Sequence, residues 1–472
     1  MPRWTWLAGM LCGCLLLGGC DEEEDLLCVA GTGEGCDDGM VCETVEGGDP
    51  ACFIPVRIEG RVFDATDDQG IGGATVVALD ANGSARTTVV TTADDGSYSL
   101  PIAMQRTGDG KLATKEFVTL RVSALGYQTF PLAPRTALPI QIDTAVEQDN
   151  KLVVANAATD VALIPLAGGS AGLGTIIGTI DTGGLEDLLP GGVLVVAELG
   201  GKAVSTAVSD THGDFTLFNV PAGTAKLGGY RAGINVTPAD VTVSGDVVKD
   251  VVLLASRDGL ATVTGSVNIV NAPGGATTSV LLVVESTFDD ATKRGESPAG
   301  MRAENVSSDF TIVDVSPGKY VVLAAFENDD LVRDPDESIG GTAIVRIDVN
   351  GGTVDTGTSF KVTEALAVVS PGANDVEVIK TAEPVFVWAD DSSEDGFELR
   401  VFDALGEMVH EDLNVPKVSG SPNVSYTWTG AAMTAGMIYQ FRAVSWRDAK
   451  AGGSRTYISA TEDLRGVFQY LP

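Results

Sequence analysis

The sequence predicts an all-β chain, built from tandem antiparallel β-sandwiches, and three observations carry that reading. Glycine is abundant, 57 of 472 residues, and the apolar set leans on Val, Ala and Leu while aromatics are only 6%; this mixture suits short strands joined by tight turns. Three segments of the chain repeat one layout of apolar strands and polar turns. No stretch carries the long 3.6-residue apolar period of an amphipathic helix.

The elements follow in chain order. Arg3 begins a short positive region and an apolar run extends from Trp4 to about Leu17. The run is too short and glycine-rich for a membrane span, which needs about 20 apolar residues, and it fits an export signal at 1–19. Its end, Leu17-Gly18-Gly19-Cys20, resembles the lipobox of bacterial lipoproteins. The resemblance implies cleavage before Cys20 and acylation of that thiol, hence a membrane partner through N-terminal lipid. Residues 20–27 then read as the lipidated cysteine and a solvated acidic tether, Asp21 to Asp25. The resemblance thus implies an exported, lipid-anchored chain, expected at the outer membrane on its periplasmic face or at the cell surface.

Four of the seven cysteines remain after the signal and the anchor: Cys28, Cys36, Cys42 and Cys52. The segment 28–54 has almost no apolar core and needs staples to hold a shape. An exported compartment permits two disulfides, with three pairings open. A zinc knuckle is the alternative, but its ligands come in tight pairs, whereas seven, five and nine residues intervene here.

Residues 56–166, 173–256 and 259–366 form the three repeats. Each opens on a strand around a glycine: Ile58-Glu-Gly-Arg-Val62, Ile176-Ile-Gly-Thr-Ile180, Val263-Thr-Gly-Ser-Val267. A second apolar strand follows at Ala74–Leu79, Val193–Ala197 and Val280–Val284. Each then reaches a polar turn and an aromatic: Tyr98, Phe215, Phe310. Units of about 100 residues suit beads on a string better than a solenoid, whose repeats are shorter. The layout is similar to the carboxypeptidase regulatory-like family, a transthyretin-like sandwich. The first segment carries the resemblance best, through Gly60-Arg-Val62, Gly72-Gly-Ala-Thr-Val76, Asp94-Asp-Gly-Ser-Tyr98-Ser-Leu100 and Gly126-Tyr127. The second matches over Asp210–Gly223 and departs at Gly228-Gly-Tyr-Arg; the third has an irregular front half. That family's name comes from a domain appended to metallopeptidases; the zinc-binding catalytic domain is absent, so no peptidase activity is implied.

The last segment, 368–472, contains alternating strands at Pro384–Trp388 and Gly396–Asp403, then Tyr426-Thr-Trp428 and Met433–Val444. It resembles a fibronectin type III domain, an Ig-like sandwich. The resemblance implies a core position for Trp388 and a tyrosine corner at Tyr439. Linkers are expected at 165–174, 255–259 and 370–374.

Function classes narrow from charge and motifs. With 30 basic against 65 acidic residues the net charge is −35, which repels nucleic acid. Gly168-Gly-Ser170-Ala-Gly172 matches G-x-S-x-G on paper, yet sits in a glycine-rich linker rather than between a strand and a helix. His212, one of two histidines, lies in Asp210-Thr-His-Gly-Asp214, where the other repeats have Asp95 and Ser307; it reads as a hairpin turn residue. His410 reads as surface at a strand end. Calcium takes six to eight oxygens, and Asp329, Asp330, Asp334, Asp336 and Glu337 cluster on one loop; the spacing departs from the EF-hand pattern and Arg333 interrupts it, so a solvated loop is the leading reading. Asp390–Asp395 is a second acidic loop of the same kind. Trp446 is the aromatic to inspect for sugar stacking. No other cofactor is expected. The chain therefore reads as a non-enzymatic envelope lipoprotein for binding or adhesion, to a polysaccharide or a protein, with a passive spacer as the alternative and an accessory of a hydrolase as the remote one.

Overall fold

The computed structural model describes residues 28–185, 188–270, 278–291, 294–325, 344–363, 365–390, 394–448 and 455–472. Within them every regular element is a strand, apart from three single-turn 3-10 helices. The fold is all-β, in tandem sandwiches behind a small disulfide-bonded segment.

That segment is a hairpin, Val41–Glu43 against Ala51–Phe53, with Cys42 opposite Cys52. Its bridges are Cys28–Cys42 and Cys36–Cys52. The hairpin is docked on the first sandwich by a buried ion pair, because Arg106 Nε donates to Glu43. The Met104 amide donates to the other Glu43 oxygen at 2.9 Å, and Arg106 also donates to the Ile54 carbonyl at 3.1 Å. Arg106 lies 4.9 Å over the Phe53 ring. Two charges taken from water persist only when paired and hydrogen-bonded, as these are.

The three repeats share one construction. An opening strand, Val56–Asp64, Leu173–Asp181 or Ala261–Val270, pairs antiparallel on one side with the strand bearing the aromatic. On its other side it pairs parallel with the unit's closing strands: Lys151–Val154 and Val161–Leu163, then Val247–Ser256, then Gly352–Thr363. The sandwiches are thus mixed rather than purely antiparallel. Parallel neighbours need a long crossover, and here the whole unit supplies it.

The opening glycine explains the aromatic. Gly60 lies opposite Tyr98, Gly178 opposite Phe215 and Gly265 opposite Phe310. A Cβ on Gly178 would stand 2.5 Å from the Phe215 Cζ, and one on Gly265 2.6 Å from the Phe310 Cζ. Each ring lies across bare backbone and reaches the core. On the far side the closing strand breaks register: a bulge separates Ile176 from Gly178, another Thr264 from Ser266, and in the first unit the 3-10 turn Ala157–Thr159 does the same work. There the Tyr98 hydroxyl donates to the Thr159 carbonyl at 2.5 Å.

The third unit's front half is regular where described. Ala261–Val270 is a ten-residue strand, and all seven residues of Thr278–Val284 are buried. Gly228 and Gly229 sit within the strand Gly223–Arg231, where Tyr230 and Val236 pack against them too closely for a side chain.

The units are not beads on a string. The first sandwich touches all three others. Asn219 of the second reaches back to the turn after Phe117–Ser123, accepting from the Gly126 amide at 2.7 Å and donating to the Ala124 and Tyr127 carbonyls. The third joins the second through the main chain: the Gly233 amide of the second donates to the Asp314 carbonyl of the third at 2.8 Å. Asp80 of the first pairs with Arg302 of the third. Phe402, Ala404, Ile438 and Val467 of the fourth belong to the first sandwich's core cluster. Arg135 donates to the Leu405 carbonyl at 2.6 Å and pairs with Glu407 at 2.8 Å.

The fourth sandwich joins a three-stranded to a six-stranded sheet. Trp388 is fully buried against Phe397 and Phe441. The Thr434 amide donates to the Tyr439 hydroxyl at 2.8 Å, which ties the strand to the chain just upstream.

Candidate functional site

The sequence-derived candidates do not converge. Cys20, the tether and the calcium loop with Asp329, Asp330, Asp334, Asp336 and Glu337 lie outside the described residues. The sulfurs of Cys28, Cys36 and Cys52 lie within 4.8 Å of one another, but both bridges consume them, which leaves no thiolate set for zinc. Of the second acidic loop, Asp395 pairs with Lys417 at 3.6 Å and accepts from the Asp448 amide at 3.0 Å.

His212 is a turn residue. Its side chain is 83% exposed, and its amide, with that of Asp214, donates to Asp210 Oδ1 at 2.9 Å. Phe215, Leu217 and Val220 of the same hairpin are buried in the second core. Ser170 is exposed in a turn that leads into the strand from Leu173, so no nucleophile elbow exists there.

Two expectations are corrected. His410 lies inside the strand Met408–Pro416, not at its end, and is half-buried. Its Nε2 is 2.9 Å from the Tyr426 hydroxyl and its ring is 5.0 Å from that of Trp428. Trp446 is 7% exposed, with the Arg455 guanidinium 3.7 Å over its ring. An open stacking platform for sugars needs a bare face, and Arg455 covers this one. Arg455 is itself held by Glu398 at 3.3 Å, by the Leu413 carbonyl and by Asn414.

One concave feature among the described residues has no counterpart in the sequence motifs. A cleft of about 380 Å³ opens between the first and second sandwiches. Thr75, Val77, Val89 and Thr91 line one wall; Ile177, Thr179, Thr216, Asp210, Asp214 and Asp250 line the other. Arg121 is the single cation in the lining, and its charge is matched by Glu296 at 3.2 Å. The cleft is therefore net acidic, with four threonine hydroxyls set among apolar side chains. Asp210 and Asp214 read as turn residues in sequence, and only the pairing of Leu173–Asp181 with Val247–Ser256 brings Asp250 beside them. No helix among the described residues is long and apolar enough to cross a membrane.

No protein-family profile matches the chain, and no curated protein matches it in sequence. Solved structures do resemble it. The Bacillus anthracis TIE protein is 10% identical, over 87% of this chain and 72% of that one, with a TM-score of 0.15. Two B repeat units of the collagen binding protein of Staphylococcus aureus are 12% identical, over 86% and 99%, with a TM-score of 0.16. A variant of the major pilin subunit of Bacillus cereus is 10% identical, over 65% and 98%, with a TM-score of 0.17. At these TM-scores none of them carries an argument about what this chain does.

Proposed function

We propose that this chain is an exported, lipid-anchored envelope protein that acts by non-covalent binding, as an adhesin or receptor-like module for a protein or polysaccharide. The observation that carries the reading is the bridged segment 28–54. Two disulfides in a piece with no core of its own mark an oxidising compartment, directly behind a lipobox-like Leu17–Cys20. Among the described residues Ser170, His212 and His410 stand in separate places, the first two exposed in turns and the third against Tyr426 and Trp428, which favours binding over catalysis. Against the passive spacer stands the packing of the first sandwich on the other three: a spacer gains reach from extension, and these contacts give it up. Calcium at Asp329–Glu337 remains a subsidiary proposal, tested by calcium titration of the melting temperature.

The test is protease shaving of intact host cells with detection of the fourth sandwich, alongside labelling with a radioactive fatty acid. Loss of the C-terminal signal with a periplasmic marker intact, and label abolished by Cys20→Ser, is the expected result. Full protection would overturn surface adhesion, and label retained in Cys20→Ser would overturn the anchor.

A further inference from the structure

Among the described residues, the outward face of the second sandwich beside the cleft is a partly open sheet surface. Strand periodicity puts Ile177, Thr179 and Asp181 on that face of Leu173–Asp181. The register sets Val252 beside Thr179 and Leu254 beside Asp181, with Asp214 on the other side of Thr179. Ile177, Val252 and Leu254 are 36%, 48% and 57% exposed. Branched apolar side chains in a row on a solvent face are the unusual feature, since a half-buried sheet normally turns polar residues outward. Carboxylates interrupt the row at Asp181, Asp214 and Asp250. Among the described residues no ion pair or side-chain hydrogen bond holds Asp214 or Asp250, so both charges can meet a ligand.

The row runs into the cleft, whose volume of about 380 Å³ falls in the range of ligand sites, about 300–1,000 Å³. Outward positions follow one another at the two-residue spacing of a strand, Ile177, Thr179 and Asp181 on one strand and Val252 and Leu254 on its neighbour. An extended polypeptide presents its side chains at that spacing as well. The charge selects its chemistry: the lining has three aspartates against one arginine already neutralised by Glu296. Anionic ligands such as phosphates and uronic acids are disfavoured, and lysine or arginine side chains are complementary.

We propose that this face and the cleft form a docking site for an extended, basic polypeptide segment. Its cations would pair with Asp214 and Asp250, and its apolar residues would cover Ile177, Val252 and Leu254. The proposal names the ligand class within the binding function above and rests on that reading. Shaving and fatty-acid labelling test display without any ligand, so the two fail separately.

The experiment is fluorescence anisotropy of the full chain with a labelled peptide alternating lysine and valine, at physiological salt. Because the whole chain is acidic, the controls decide. Asp214→Asn with Asp250→Asn is expected to weaken binding about tenfold, two exposed ion pairs being lost. Asp37→Asn with Asp38→Asn removes the same charge from exposed positions in the bridged segment, and is expected to leave binding unchanged. Leu254→Lys is expected to weaken it without touching an aspartate. Equal loss in both double variants, equal binding of a glutamate–valine peptide, or no binding at all would overturn the proposal. Binding of a glucosamine oligomer in preference to the peptide would overturn it in favour of a cationic sugar.

Discussion

The Arg121 guanidinium and the Glu296 carboxylate, 175 residues apart in the chain, meet at 3.2 Å where three sandwiches converge. Thr206 of the second sandwich completes the junction: its hydroxyl accepts from Arg121 and donates to Glu296 at 3.2 Å. Arg121 is 8% exposed and Glu296 26%. Removing the acid leaves a nearly buried cation without its partner, the costly way to break a pair. Glu296→Ala is expected to destabilise by about 1–3 kcal/mol, discounted for the partial exposure of the glutamate. The melting transition should fall by about 2–8 °C, with Glu296→Gln retaining hydrogen bonds and losing less. An unchanged transition in Glu296→Ala would mean that the sandwiches do not stabilise one another there.

The glycine–aromatic pairs give a second test. A methyl on Gly178 meets the Phe215 ring and the Val251 carbonyl, and one on Gly265 meets Phe310 and Thr356. Neither backbone can retreat inside a paired sheet, so overpacking of about 1–3 kcal/mol or more is expected for Gly178→Ala and Gly265→Ala. Gly168→Ala, with nothing within 4 Å of the added carbon, should stay within about 0.5 kcal/mol of the parent. Denaturant midpoints of the three variants separate these outcomes.

These pairs also mark what the sequence made readable. Alternation around Gly60, Gly178 and Gly265, followed by Tyr98, Phe215 and Phe310, located the strands because side-chain period and turn chemistry are local. The parallel closing strands were not readable: Thr179 meets Val252 only through a register fixed by the rest of the unit. The packing of sandwich on sandwich was hidden for another reason. Arg121, Glu296, Asp80 and Arg302 are residue types that normally face water, and only their partners in space bury them. The same holds for Trp446, whose cover comes from Arg455. Asp250 entered the cleft unseen because nothing near it in sequence resembles Asp214.

The bridged segment should come loose in two stages. Cys28–Cys42 and Cys36–Cys52 close loops of sequence separation 14 and 16, and loops of that size contribute about 3 kcal/mol each. Reduction alone removes this from a piece whose own core is minimal, while the Glu43–Arg106 pair still holds Glu43. Dithiothreitol should therefore make residues 28–40 sensitive to protease and leave the sandwiches' melting transition in place. Glu43→Ala in the oxidised chain should instead undock an intact hairpin and expose Phe53 and Arg106. Mass spectrometry of the cleavage products distinguishes the two, and a sandwich transition lost on reduction would contradict the assignment.

Acid should weaken the contact between the first and fourth sandwiches through Asp375. This carboxylate accepts from Lys115 at 2.6 Å and from Gln141 at 3.0 Å, while the Val376 amide donates back to Gln141 at 3.0 Å. The Lys115 hydrogen bond, foremost, holds its pKa below the ordinary carboxylate value. A depressed folded pKa means stability that is fully present above the unfolded value, about 4, and is lost as pH falls through the folded one. Burial pushes Asp403, beside Arg135 at the same junction of first and fourth sandwiches, the other way, so protonation there favours the folded state and offsets part of the loss. Asp375 is about half exposed, with a side-chain exposure of 48%, which limits the effect to about 1 kcal/mol or less. The melting temperature of the parent should exceed that of Asp375→Asn at neutral pH, and the difference should close as pH falls below about 4, through the lowered folded value. A difference that persists across that window would show that the contact is held by packing around Phe402 and Ile438 rather than by this charge.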